Sequence, residues 1–175
     1  MIYFNQISDV YPKYETGMYG GKFLPMHSGH HYCLDVAASL CRKVYFILFY
    51  GGDQEMHTVD TVLDSGYLSL DARWFITQKL AKAYGNVVPV LIDVTNCKKP
   101  DGTEDWDAET PLVLNRCGNL DAVFSSEPSY NEYFSRAYPK AEHILVDPPR
   151  IVYPVSGTML RGMTRVEAIE KGMEL

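Results

Sequence analysis

Twelve residues near the N-terminus, Gly20 to His31 (GGKFLPMHSGHH), hold three of the chain's five histidines together with Lys22 and three glycines. His27 and His30 are three apart, so at the start of a helix they stand on one face. Imidazoles and a lysine beside glycines suit an anionic ligand: Gly20 and Gly21 let the backbone turn and come close, while cations and helix N–H groups supply positive potential. Pro25 stiffens the bend, and Ser28 or Gly29 begins the helix. Two other readings of this spacing stay open. One is a surface turn with incidental histidines. The other is a zinc site, which is less favoured because no carboxylate or cysteine lies close in sequence to complete a tetrahedral set.

The surrounding elements must hold this stretch at a ligand edge. Residues 17–20 read as the end of a strand, 29–41 as a helix with Leu34, Ala37, Ala38 and Cys41 inward, and 44–49 as a strand covered on both faces. Ser69 caps a helix reaching Tyr84, with Trp74, Phe75, Leu80 and Ala81 as its apolar surface, and Gly85 stops it. Residues 87–92 read as a strand in which Pro89, lacking a donor, favours an edge or the strand's irregular start. A loop over 95–107 follows, then a helix over 108–118, a strand over 121–125, a helix over 130–138 and a strand over 143–146. A turn around DPPR and a short helix over 164–171 complete the chain. This alternation predicts an α/β fold: a single doubly wound parallel sheet, Rossmann-like, with helices on both faces and ligands at the strands' C-terminal ends.

With 175 residues the chain fits one domain, residues 1–175, with 1–16 as an N-terminal extension open to either an added strand or a contact in a homo-oligomer. A net charge of -6 argues against a general nucleic-acid surface, yet leaves room for a small anion at a local cationic cluster. The four cysteines form no Cys-x-x-Cys pair and read as free thiols of a reduced compartment. No segment approaches a membrane span, and the N-terminus lacks a basic region followed by an apolar core, so the expected location is cytoplasmic.

A second phosphate-type segment, Val155-Ser156-Gly157-Thr158-Met159-Leu160-Arg161, lies near the other end. Together with Gly21-x-Phe23-x-Pro25-x-His27-x-Gly29-His30 it resembles the paired motifs of the nucleotidylyltransferase superfamily. GKFLPMHSGH, VFSSEPSYNEYF, ILVDPPRIVYPVSGTMLR and Trp106 together are similar to the NadR-like nicotinamide mononucleotide adenylyltransferases, over about residues 17 to 162. No Gly-x-x-x-x-Gly-Lys-Ser/Thr loop is present, so the kinase domain that follows in bifunctional members is not expected.

That resemblance implies attack by the 5'-phosphate of nicotinamide mononucleotide (NMN) on the α-phosphorus of ATP, giving NAD and pyrophosphate. The nucleophile is already anionic, so alignment and positive potential matter more than a strong base. By the same resemblance His27 and His30 face the triphosphate, Lys22 lies near the reacting phosphates, and Arg161 grips the β- and γ-phosphates. Gly21, Phe23, Gly29, Ser125, Val155, Ser156 and Thr158 shape the nucleotide pocket. Trp106 stacks on the nicotinamide ring, with Glu127, Tyr130 and Arg150 on the substrate side. Magnesium is expected to travel with ATP, held by phosphate oxygens and water, with no protein metal ligands.

Each residue also has a plainer reading: Lys22 as a solvated loop lysine, Ser156 as a helix cap, Arg161 as a surface residue, Phe23 as a core aromatic and Trp106 as a loop anchor. The chain departs from the family in two places. Pro149 replaces an acid in the Asp-Pro-Asp-Arg pattern, leaving Arg150 to bind phosphate or to pair with Asp147. Residues 51–66 contain no arginine where the family tends to have them, so His57 is either a substitute cation or merely exposed. Transfer to another phosphorylated acceptor (phosphopantetheine, a phosphosugar alcohol or flavin mononucleotide) and a non-catalytic nucleotide-binding regulator on the same scaffold are the alternatives. Hydrolysis fits poorly, because no nucleophile-base pair or two-metal carboxylate cluster is evident.

Overall fold

The computed structural model describes residues 1–7, 11–56 and 61–175. Its regular elements are β1 (Ile2–Tyr3), β2 (Tyr14–Gly21), α1 (Ser28–Leu40), β3 (Cys41–Tyr50), α2 (Leu70–Ala81), β4 (Val87–Asp93), α3 (Trp106–Cys117), β5 (Ala122–Ser125), α4 (Asn131–Ala137), β6 (Glu142–Leu145), α5 (Gly157–Arg161) and α6 (Arg165–Glu170). The strands form one sheet in the order β1-β6-β5-β2-β3-β4, and every pairing is parallel. The expected doubly covered α/β sheet is therefore present.

Alternation along β3 explains the two cores. Val44, Phe46 and Leu48 join Cys33, Leu34 and Ala37 of α1 and Ile76 and Leu80 of α2 on one face. Ile47 points the other way, to Met18, Val90, Val123 and the α3 residues Val113 and Cys117. A strand buried on both sides has to be apolar at nearly every inner position, and this one is. Pro89 sits on β4, an edge strand, where its missing donor costs little.

Three expectations need correction, and one open choice is narrowed. β2 starts at Tyr14, a buried residue, so the end of the presumed extension belongs to the sheet. Ile2 and Tyr3 pair with Ile144 and Leu145, so the extension does add an edge strand. Phe75 is 62% exposed, and Arg73 is buried in the interior of α2 instead. Trp106 is the first residue of α3 rather than part of the preceding loop. Asp105 is the reason: its carboxylate accepts from Ala108 N–H (3.3 Å), capping the helix two residues earlier than expected.

The chain's C-terminal part returns to the histidine segment. Ser28 N–H donates to the Gly172 carbonyl (2.8 Å) and Glu174 N–H to the Met26 carbonyl (3.0 Å). Beneath these bonds Leu63, Leu68, Val155, Leu160, Ala168 and Met173 form a third small core. These contacts bring the two motifs together across more than half the sequence.

Candidate active site

β2 is followed by β3 and β4 on one side, and the chain then crosses to place β5 on β2's other side. This switch opens a crevice at the C-terminal ends of β2 and β5, where an open parallel sheet binds its ligands. Two adjoining cavities occupy it, of about 330 Å³ and about 310 Å³. Gly20, Gly21, Lys22, Ser125 and Tyr130 line both, and so form the boundary between them.

The first cavity is lined by His27, His30, Arg150, Ser156, Thr158 and Arg161 among others. His27 is the N-cap residue of α1, and His27 N–H donates to His30 Nδ1 (3.3 Å). A ring nitrogen that accepts carries no proton, which leaves the His30 proton on Nε2 as a donor for a ligand. The two imidazoles stack at 3.6 Å between centroids, and the Phe23 ring packs against His30 at 5.0 Å. Burial pushes His27 down to about 4, helped by the Arg150 charge; burial, His27 and Arg150 hold His30 well below the usual histidine range. Both rings are thus neutral donors near neutral pH. Phe23 is buried with a left-handed backbone (φ 50°), so it is a core aromatic that also fixes His30.

From the opposite side, Arg161 donates through Nη1 to the Leu24 carbonyl (2.7 Å) and through Nη2 to Thr158 Oγ1 (3.1 Å), while its buried Nε has no partner among the described residues. Gly157 lies so close to the Leu24 carbonyl that a Cβ there would sit 2.6 Å from its oxygen. Ser156 caps α5 by accepting from Met159 N–H (3.1 Å), as its plainer reading holds, while still lining the cavity. Arg150 does not pair with Asp147. The Asp147 carboxylate instead accepts from the N–H groups of Ile151 (2.8 Å), Val152 (2.9 Å) and Tyr153 (3.3 Å), and Arg150 Nη1 donates to the Val155 carbonyl (3.1 Å). Arg150 lines the first cavity and not the second, among the phosphate-type groups.

Lys22 stands between the cavities with carboxylates on both sides. Its Nζ lies 2.8 Å from Glu55 Oε1 and also pairs with Glu104. Glu55 in turn takes Arg73 Nη1 at 3.2 Å, and the same Nη1 donates to the Lys22 carbonyl at 3.0 Å. Glu55, in the arginine-free segment after β3, is therefore met by Lys22 from the turn after β2 and by Arg73 from α2, the latter a residue that no sequence motif marks. The only signal for it was a charged residue on the helix's inner stripe. His57 lies outside the described residues.

The second cavity is aromatic. Trp106 meets Tyr130 edge-to-face at 5.0 Å and Tyr133 at 5.3 Å, and its Nε1–H donates to Glu104 Oε2 (3.2 Å). Glu109, Phe49, Phe134 and Tyr138 complete much of the wall. Ser125 Oγ lies 2.7 Å from His143 Nε2, and His143 Nδ1 lies 3.2 Å from Asn131 Oδ1, so a buried polar chain orients this boundary hydroxyl. Glu127 lines only the first cavity, and its carboxylate accepts from Ser129 N–H (3.1 Å) and Oγ–H (2.9 Å).

No protein-family profile matches the chain. Among solved structures it is similar to NadR protein in complex with NAD and AMP-PNP, at 19% identity and a TM-score of 0.57, over 84% of this chain and 41% of that one. NadR protein in complex with NR aligns at 18% identity and a TM-score of 0.56, over 88% of this chain and 41% of that one. The chain has a NadR-like fold. It spans about two fifths of the length of those structures, and at these identities the likeness is one of fold.

The residues expected to bind phosphates, nucleotide or acceptor, from Gly21 and Lys22 to Arg161, each line one cavity or both. His31 does not. Its ring bonds to Glu174 (3.0 Å) and Tyr84 (3.1 Å), tying α1 to the C-terminus. No helix among the described residues is long and apolar enough to cross a membrane.

The neutral histidines carry a pH consequence. Burial lowers His27 and His143 to about 4, whereas an unfolded chain titrates near ~6.5. Below that value the unfolded state binds protons that the folded state refuses, so stability present above ~6.5 is lost as pH falls toward about 4. Urea denaturation at a series of pH values is expected to show this decline, and His143→Asn to flatten part of it. A wild-type stability unchanged down to about pH 4 would contradict the buried neutral rings.

Proposed function

We propose that the protein is a nucleotidyltransferase that joins the phosphate of NMN to the adenylyl group of ATP. Carrying the proposal is one observation: a cavity with two histidines and two arginines adjoins an aromatic cavity, and Lys22 stands at their boundary. The first suits a triphosphate, the second a flat ring, and the α-phosphorus would lie where they meet. The NadR structures that share the fold are complexes with NAD and AMP-PNP, and with NR, which supports a nucleotide pair of this kind.

In the reaction a phosphate oxygen of NMN forms a bond to the α-phosphorus as the bond to the bridging oxygen of pyrophosphate breaks. His30 Nε2–H would donate to the α-phosphate as charge grows there, and Arg161 and Arg150 would hold the departing pyrophosphate. Glu55 and Glu104 keep Lys22 at the boundary, and the polyphosphate would take over part of its charge. Magnesium is expected to arrive with ATP. Both carboxylates lining the first cavity, Glu127 and Asp147, already accept from backbone N–H groups, which fits an ion carried by phosphate oxygens and water rather than by a protein cage.

The test is an acceptor panel with magnesium and ATP or CTP. Release of NAD and pyrophosphate from ATP and NMN is the expected result. Preference for a different phosphorylated acceptor would overturn the NMN assignment, and nucleotide binding without pyrophosphate release would favour a regulator. On the best pair, Trp106→Ala is expected to raise KM for the mononucleotide about tenfold to a hundredfold, since stacking is worth ~1 to 3 kcal/mol per base. The KM for ATP should move much less. Equal losses for both substrates would remove Trp106 from the acceptor site.

A further inference from the structure

Glu109 is a charged side chain of the second cavity that lies outside both motifs. It stands one turn into α3, three residues after Trp106, and is only 8% exposed while lining the cavity. Its backbone N–H donates to the Asp105 carbonyl (3.3 Å), while its side chain lines the cavity. The surrounding wall is Trp106, Tyr133, Phe134, Tyr138 and Phe49. A carboxyl held against aromatic rings and opening onto the cavity is satisfied there by water or by a ligand that donates to it.

The charges around it come from every neighbouring segment. Lys22 faces it from the turn after β2, Glu55 from the segment after β3, and Lys98 and Asp105 from the connection between β4 and α3. Cys97, Tyr133 and Tyr138 are the titratable but uncharged groups nearby. Lys22, which lines the same cavity, is already shared between Glu55 and Glu104. The aromatic cavity thus has an acidic lining with its nearest cation engaged.

We propose that Glu109 is a specificity-determining residue of the acceptor cavity: it favours a cationic heteroaromatic ring whose substituent is uncharged and can donate a hydrogen bond, and it disfavours the same ring bearing a carboxylate. The inference rests on the nicotinamide reading above. A pyridinium ring with a carboxamide meets both demands, through its charge and its N–H groups. Its deamidated analogue would bring a second carboxylate beside Glu109, where like charges repel.

A pH signature follows. Burial raises the Glu109 carboxyl to about 7, with Lys22 and Lys98 opposing the shift. As pH rises through that value the carboxylate forms, so attraction for the cationic amide and repulsion of the carboxylate analogue strengthen together. Binding of the amide should release a proton from Glu109, and binding of the analogue should take one up.

The experiment is calorimetric titration of the protein and its Glu109→Gln variant with NMN and with its deamidated analogue, at about pH 6 and about pH 8. Both ligands carry the same phosphate, so the ratio of their affinities cancels its titration. In the wild-type protein the preference for the amide is expected to grow about tenfold between the two pH values, one pKa unit of differential interaction. Glu109→Gln should reduce that preference and remove its pH dependence. Titrations of the wild-type protein in buffers of different ionisation heat give the proton balance without any variant. Opposite proton changes for the two ligands support the proposal, and equal ones overturn it. A preference that survives Glu109→Gln unchanged also overturns it, while leaving the acceptor reading intact. If neither ligand binds the wild-type protein, the acceptor reading fails and this inference fails with it.

Discussion

His30→Ala is expected to lower kcat for nucleotidyl transfer about a hundredfold to a thousandfold while the protein remains folded. Removing a preorganised donor aimed at developing charge costs ~2.7 to 4 kcal/mol in the barrier. Several features of the structure pre-orient this donor. His27 N–H occupies Nδ1, the His27 ring stacks on one side, and Phe23 packs against the ring from another direction. Because burial, His27 and Arg150 keep the ring neutral, wild-type activity should not depend on protonating His30 near neutral pH. Steady-state kinetics of the purified variant, with circular dichroism to check folding, decides the matter. A near-normal kcat in a folded variant would take His30 out of the mechanism.

Arg73→Met is expected to destabilise the fold by about 3 to 5 kcal/mol, the usual penalty when one member of a buried ion pair is removed and the other stays charged. Arg73 is 1% exposed and holds Glu55, the Lys22 carbonyl and the Ser69 carbonyl at once, although its Nη2 has no partner among the described residues. In a domain of this size the loss corresponds to a fall in Tm of about 10 °C. Adding Glu55→Gln to the variant should recover only a small part of it, because the carboxylate left behind still has Lys22 as a partner. Thermal and urea denaturation of the three proteins test this. A single variant within ~1 kcal/mol of wild type would mean that Arg73 does not secure the segment after β3.

These two residues mark the boundary of what could be read without coordinates. The histidine segment was legible because its ingredients are local: glycines for close approach, a proline bend and a helix start within twelve residues. The alternation of apolar runs and amphipathic stretches was sufficient for the parallel sheet, since a strand covered on both faces must be apolar throughout. The sequence by itself therefore determined the fold class, the order of most elements and the ligand edge at which the motif would stand.

Tertiary structure alone decided which distant groups share that edge. Arg73 is a charged residue on an inner helical face, and no spacing rule connects it to Glu55 and Lys22; only the packing of α2 against β3 does so. Glu109 was equally silent, one acid among several in an acidic stretch, until α3 began at Trp106 and carried it into the aromatic cavity. Asp147 looked available to Arg150 from sequence proximity, but the turn at φ 47° sends its carboxylate to three backbone N–H groups instead. Local pattern follows from backbone geometry, whose period is a few residues. Partner choice and burial follow from three-dimensional packing, in which residues fifty or a hundred positions apart meet.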